Sequence, residues 1–344
     1  MMKLFKYFIF SALFVIPFIF PSCGETQQKS EGSNKQSAVK KDTSEALKLI
    51  MYLEEMGDYV NGRNFPSLIK ASSVFEEMDG NIHIIDMRHA DVYNKGHIKN
   101  AVNVRFNNLP NHFENEIIPF EFDKIILVCY GGQIASYSAS LLRLMGYGNV
   151  YSMRWGMSAW NEKFAKDYWL SGVSSKFQDQ IEKESNTKTE RYNLPDLNTG
   201  MKKGEDIHSA RFESIFKEGL KDVFVSADQV FENPENYYII NYDRKDKYLA
   251  GHIPGSIRYK PNATLGIVSE METIPVDKDV VVYCGTGHNS GFVTAYLRLL
   301  GYNAQTLEHG ANSFMYDKMI EDRATLSWLP FTDQEIHNYH FVTE

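Results

Sequence analysis

The run Val280-Val281-Val282-Tyr283-Cys284-Gly285-Thr286-Gly287-His288-Asn289-Ser290 places a continuous apolar stretch before a cysteine and a glycine-containing turn after it. An amphipathic segment follows. Earlier in the chain, Ile125-Ile126-Leu127-Val128-Cys129-Tyr130-Gly131-Gly132-Gln133-Ile134-Ala135 has the same plan. The two cysteines lie 155 residues apart (284 − 129), and other positions repeat at that offset. Gly96-His97-Ile98 returns as Gly251-His252-Ile253, Leu142-Arg143-Leu144 as Leu297-Arg298-Leu299, and Gly146-Tyr147 as Gly301-Tyr302. One offset kept in order over so long a span marks a duplicated domain.

Uninterrupted β-branched runs are typical of strands buried on both faces, which implies a mainly parallel sheet flanked by helices on both faces. In the first copy the patterns predict strands at 81–86, 102–104, 124–129 and 149–152. Helices are expected at 72–78, 90–95, 136–145 and 157–164. The second copy repeats the order, with strands at 237–241, 280–284 and 305–307 and a helix at 292–300. Residues 225–231 answer 70–75. Alternating short strands and helices define an α/β class with two tandem domains.

The ends carry separate signals. Lys3 and Lys6 precede an apolar run over 7–20, as in an export signal. That run is short for a spanning helix, which needs about 20 apolar residues. It closes on Phe20-Pro21-Ser22-Cys23-Gly24, which resembles a bacterial lipobox and makes Cys23 the expected lipidation site. The expectation is an exported, membrane-anchored protein facing the periplasm; a cleaved signal or an uncleaved N-terminal anchor are the alternatives. Residues 24–43 are polar and read as a flexible tether. Domain 1 is assigned to 44–168, a linker to 169–208, domain 2 to 209–328, and an aromatic tail that packs back on a domain to 329–344. The formal charge of −8, with no basic stripe, gives no support to nucleic-acid binding. Three cysteines form no disulfide framework, and no Cys/His spacing calls for a metal.

A cysteine at the C-terminal end of a parallel strand stands where ligands bind in open α/β folds. Gly131, Gly132, Gly285 and Gly287 let backbone amides converge on the sulfur. The following helix adds its positive end. These features favour thiolate over a thiol of pKa about 8.5, and hence nucleophilic transfer.

Each half resembles a rhodanese domain. The residues that carry the likeness are Asp86-Met87-Arg88, Tyr93 to Ile98, Tyr248 to Ser256, the two strand–cysteine–loop–helix units, and the Leu-Arg-Leu-x-Gly-Tyr runs. The resemblance implies sulfur transfer through a cysteine persulfide, from a small anionic donor of thiosulfate or 3-mercaptopyruvate type to a thiol or cyanide, without cofactor or metal. It implies substrate-binding loops at Tyr130, Gly131, Gly132, Gln133, Ile134 and Ala135, and at Gly285, Thr286, Gly287, His288, Asn289 and Ser290. Cys284 is the expected principal nucleophile and Cys129 a second site. Cys284-Gly285-Thr286-Gly287 further resembles the loop opening of 3-mercaptopyruvate sulfurtransferases. Where many rhodaneses carry an anion-gripping arginine, five residues past the cysteine, stand Ile134 and Asn289. Asp86 and Arg88 resemble the charged pair that braces a rhodanese domain near its site; the second half has Asn241-Tyr242-Asp243-Arg244 there, so the brace is altered, with Arg244 as the supporting residue displaced by one. His97 and His252 belong to a structural turn, and His288 reads as a solvated loop residue. The rival reading is a catalytically degenerate tandem module that binds a partner or a sulfur-carrier protein.

Overall fold

The computed structural model describes residues 44–343 except Thr189 and Ile267. The export segment, Cys23 and the tether lie outside the described residues. Among the described residues no helix is long and apolar enough to cross a membrane.

Two five-stranded sheets share one topology. In the first, β1 (Leu68–Ile69), β2 (Ile82–Asp86), β3 (Val102–Asn103), β4 (Lys124–Val128) and β5 (Val150–Met153) run in the order β1-β5-β4-β2-β3. In the second, β6 (Phe224–Val225), β7 (Tyr237–Asn241), β8 (Ile257–Arg258), β9 (Asp279–Tyr283) and β10 (Ala304–Leu307) run β6-β10-β9-β7-β8. Every pairing is parallel; Ile84 faces Ile126, and Ile239 faces Val281. The cysteine-bearing strands β4 and β9 are central, so their side chains are buried on both faces, as the β-branched runs require.

Three departures from the sequence reading have local causes. The edge strands β1, β6 and β8 are two residues each, too short to carry a period. The expected helix at 157–164 breaks at Asn161, whose extended backbone (φ −155°) and side chain, accepting from Lys163 N, cap a second short helix. Helices Glu45–Glu55 and Gly204–Glu218 were not foreseen; they touch where Gly204 admits Tyr52, whose Cβ would stand 2.6 Å from an added methyl.

The inner faces of the two sheets share a single core. Helices Gln133–Leu144 and His288–Leu299 pack against each other, bringing Leu141, Leu142, Phe292, Val293 and Leu297 into one cluster with residues of both sheets. Burying each such side chain contributes about 1.5–3 kcal/mol. The outer faces have separate clusters, one around Trp155 and Trp160, the other around Phe314 and Met315.

The segment read as a linker is itself packed. It contains the short helix Trp169–Gly172 and pairs Glu182 with His252 of domain 2. The tail crosses from domain 2 to domain 1. Phe331 is fully buried, Tyr339 stacks on Phe75 at 4.0 Å, and Val342 pairs with His97.

Candidate active site

Each cysteine directly follows a central strand, and a left-handed glycine from the neighbouring strand's end fixes its carbonyl. A Cβ on Gly156 (φ +53°) would lie 2.3 Å from Cys129 O, and one on Gly310 (φ +55°) 2.3 Å from Cys284 O. Only glycine fits there. Met157 N and Ala311 N donate to those same carbonyls at 2.9 Å.

Past the cysteine the turn is tighter than expected. Gly132 (φ +89°) and Gly287 (φ +76°) turn the chain at once into helices beginning at Gln133 and His288. The residues assigned to substrate loops at Gln133, Ile134, Ala135, His288, Asn289 and Ser290 are therefore first-turn helical residues. Their free amides are what the thiols meet. Gly132 N and Ala135 N donate to Cys129 Sγ at 3.1 and 3.4 Å, and Cys284 Sγ lies 3.8 Å from Ser290 Oγ. Ile134 instead packs against the shared core.

The thiols are free and buried. Burial pushes both pKa values up; the amides around each sulfur pull the other way, and the Asp243 carboxylate raises Cys284 further. Both shifts run against the expected preference for thiolate, because desolvation outweighs the amide dipoles.

The two sites differ sharply in access. Cys284, Gly285, Thr286 and Asn289 line a cavity of about 320 Å³ together with Asp243, Lys247, Leu329 and, from domain 1, Pro66, Leu68 and Arg154. Asp243 Oδ2 accepts from Gly285 N at 3.0 Å, and its Oδ1 lies 3.6 Å from Lys247 Nζ, which sits 4.8 Å over the Trp328 ring. The Cys129 loop is sealed instead. Trp169 Nε1 donates to Gly131 O at 2.9 Å, and a Cβ on Gly131 would strike the Tyr168 ring at 2.0 Å. Tyr168 stacks on Tyr130, and Phe331 stacks on Trp169. A cavity of about 490 Å³ lies beside this plug, lined by Arg88, Lys95, Tyr130, Lys163 and Tyr168 among others, and Cys129 is not in its wall.

His288 is not solvated; it is fully buried and spans the domains. Its Nε2 accepts from Trp155 N at 3.0 Å, leaving the proton on Nδ1, which faces Thr286 Oγ1 at 2.9 Å. Gln133, at the equivalent position, makes the mirror contact. Its Oε1 accepts from His309 N at 2.8 Å and its Nε2 donates to Leu307 O at 3.1 Å. Trp155 and His309 are both left-handed residues just past β5 and β10. Each copy thus hands its first helical side chain to the turn that backs the other copy's loop.

Burial holds His288 at a pKa of about 3, with the Arg154 charge acting the same way. Below pH ~6.5 the unfolded chain gains a proton at residue 288 that the native protein refuses until far lower pH, so acidification favours unfolding. The loss from this residue is about 2 kcal/mol by pH ~5. Urea midpoints measured at neutral pH and near pH ~5 should therefore fall, and His288→Gln, which installs the amide used at 133, should flatten the fall. An equal acid loss in both proteins would show that residue 288 is not its source.

The remaining predicted residues divide. Asp86 and Arg88 form a buried ion pair at 2.7 Å, and Arg88 also donates to Gly96 O. Arg244 is exposed and pairs with Asp246; it does not brace the second loop. The one-residue displacement turned it to solvent, and Asp243 with Lys247 holds that place. His97 and His252 are buried, each stacked at 3.7 Å on its own tyrosine, Tyr93 or Tyr248. Arg154, Lys247, Tyr168, Trp169 and Trp328 were not singled out for the site. Only the Asp243-Arg244 charge pair hinted at Lys247, and no local signal marks the others.

A parallel α/β domain with a cysteine at the strand end and a helix N-terminus over the sulfur is one sheet-and-loop unit, present here twice. The Rhodanese-like domain family matches at residues 72–163 and again at 226–317, and the chain belongs to this family as a tandem pair. Thiosulfate sulfurtransferase GlpE of Shewanella oneidensis is 35% identical over 82 residues, 24% of this chain and 77% of that protein. The GlpE protein of Pseudoalteromonas translucida is 37% identical over 84 residues, 24% of this chain and 76% of that protein. The crystal structure of thiosulfate sulfurtransferase from Pseudomonas aeruginosa is 15% identical, with a TM-score of 0.29, covering 76% of this chain and 46% of that one.

Proposed function

We propose that the chain is a sulfurtransferase that loads sulfane sulfur on Cys284 and passes it to a thiophilic acceptor. One observation carries the reading: Cys284 lines a cavity shared by both domains and containing charged groups, at the end of a central strand. In the first step the Cys284 thiolate attacks the transferable sulfur of an anionic donor of thiosulfate or mercapto-acid type. A sulfur–sulfur bond forms, and the donor's bond to that sulfur breaks. The electron pair leaves with sulfite, or as an enolate that takes a proton from water. In the second step a thiolate or cyanide attacks the outer sulfur, and the electron pair of the broken bond restores the Cys284 thiolate. First-turn amides of the helix beginning at His288 would stabilise charge on the sulfur in both steps. An exported protein tethered through a lipidated Cys23 is part of the same proposal, supported by the N-terminal sequence alone.

Incubation with thiosulfate and, separately, 3-mercaptopyruvate tests it. The expected result is a mass gain of one sulfur atom on the Cys284 peptide, removed by cyanide with release of thiocyanate. Failure of both donors to load either cysteine would sink the enzymatic reading in favour of a binding module.

A further inference from the structure

Resting on that reading of Cys284, we infer that Arg154 of domain 1 binds the anionic end of the sulfur donor in the domain 2 cavity. The helix that follows Cys284 offers Asn289 to that cavity, an uncharged residue. The cavity's own cation, Lys247, is already turned to Asp243 at 3.6 Å. Arg154 is the remaining charge in the wall, and its guanidinium has no hydrogen-bond or ion-pair partner among the described residues. Its backbone is firmly placed, with Arg154 N donating to Ile69 O at 2.9 Å at the end of β5. Glu335, the acid that acts on it electrostatically, is engaged by Trp155 Nε1 at 3.0 Å and by Arg323. Arg154, Lys247 and Asp243 are the charged residues of the cavity wall, two cations to one anion; Arg154 also lines the neighbouring cavity that holds Glu335.

The internal repeat sharpens the point. Arg154 precedes the left-handed Trp155, and the residue that precedes the equivalent His309 is Glu308. Glu308 bears on the other loop: after burial and the Cys129 charge, it helps push the Tyr168 hydroxyl up. The same position thus holds a cation in the wall of the open site and, near the sealed one, an acid whose own pKa burial raises. A planar guanidinium can meet a carboxylate or a sulfonate-like group through two parallel hydrogen bonds. The donor class is thus a small acid whose charged group lies on the far side of its transferable sulfur.

Iodoacetate and iodoacetamide, nearly equal in shape and different in charge, probe this without any sulfur chemistry. Their relative rates at Cys284, followed by peptide mapping of the full chain and normalised to a free thiol, should favour the anion in the unaltered protein, a preference that salt weakens only in part because the guanidinium is largely buried. Arg154→Ala should lower the ratio about ten-fold and Arg154→Lys should keep part of it. In sulfur-transfer assays Arg154→Ala should raise the donor KM about ten-fold or more, with kcat much less affected. An unchanged alkylation ratio in both variants, with melting curves matching the unaltered protein, would overturn the role of Arg154 even where sulfur transfer proceeds. An anion preference that depends on Arg154, in a protein that loads no sulfur, would support the anion site and refute the sulfurtransferase reading.

Discussion

Cys284→Ser abolishes sulfur loading and turnover, with an expected fall of three orders of magnitude or more, on the order of losses seen when a nucleophile is removed. Serine keeps the shape of the loop but its hydroxyl cannot carry a sulfane sulfur. Cys129→Ser, in contrast, leaves loading at Cys284 intact, because Tyr168 and Trp169 close the first loop. Intact mass after donor treatment reads both variants directly. Persulfide on Cys129 alone, with Cys284 unloaded, would reverse the assignment.

The second large effect lies at that plug. Trp169 is fully buried, edge-on to Trp155 at 4.6 Å and stacked with Phe331 at 5.3 Å, and it donates to Gly131 O. Trp169→Ala should cost about 3–5 kcal/mol, the range for emptying a site of this size in a packed interior. It should also expose Cys129, so iodoacetamide labels a thiol that the unaltered protein protects. Trp169→Phe keeps most of the packing and gives up the hydrogen bond, a loss of about 1 kcal/mol. Denaturant midpoints and site-resolved alkylation separate the two effects. Continued protection of Cys129 in folded Trp169→Ala would mean that something other than the indole seals the loop.

The central strands were readable because burial on both faces writes itself as consecutive Ile, Val and Leu around Ile126 and Val281. So was the repeat, since loop glycines and strand ends must recur wherever the geometry recurs. What escaped was tertiary. His288 looked like a loop residue because nothing local says that Gly287 will turn left-handed and start a helix facing the other copy. Arg244 looked like the domain 2 brace because it resembles Arg88 in spacing, yet one residue of displacement put Lys247 beside Asp243 and left Arg244 in water. Arg154 and Trp169 act on loops far from them in the chain, or across the domain boundary, and their neighbours in sequence carry no trace of it.

The exchange of Gln133 and His288 has the form of a twofold contact between identical subunits, in which each partner gives the other the same side chain. A homodimer with that surface must use one residue for both halves, and any change to one site is a change to both. Covalent fusion lifts the constraint. Position 133 could become an amide while 288 became an imidazole, Arg154 could line one cavity while Glu308 bears on Tyr168 over the other loop, and one pocket could be walled off by indole and phenol rings without closing its twin. The fused chain is a pseudo-symmetric pair released from exact symmetry, in which one cysteine loop can be sealed while its counterpart lines a cavity.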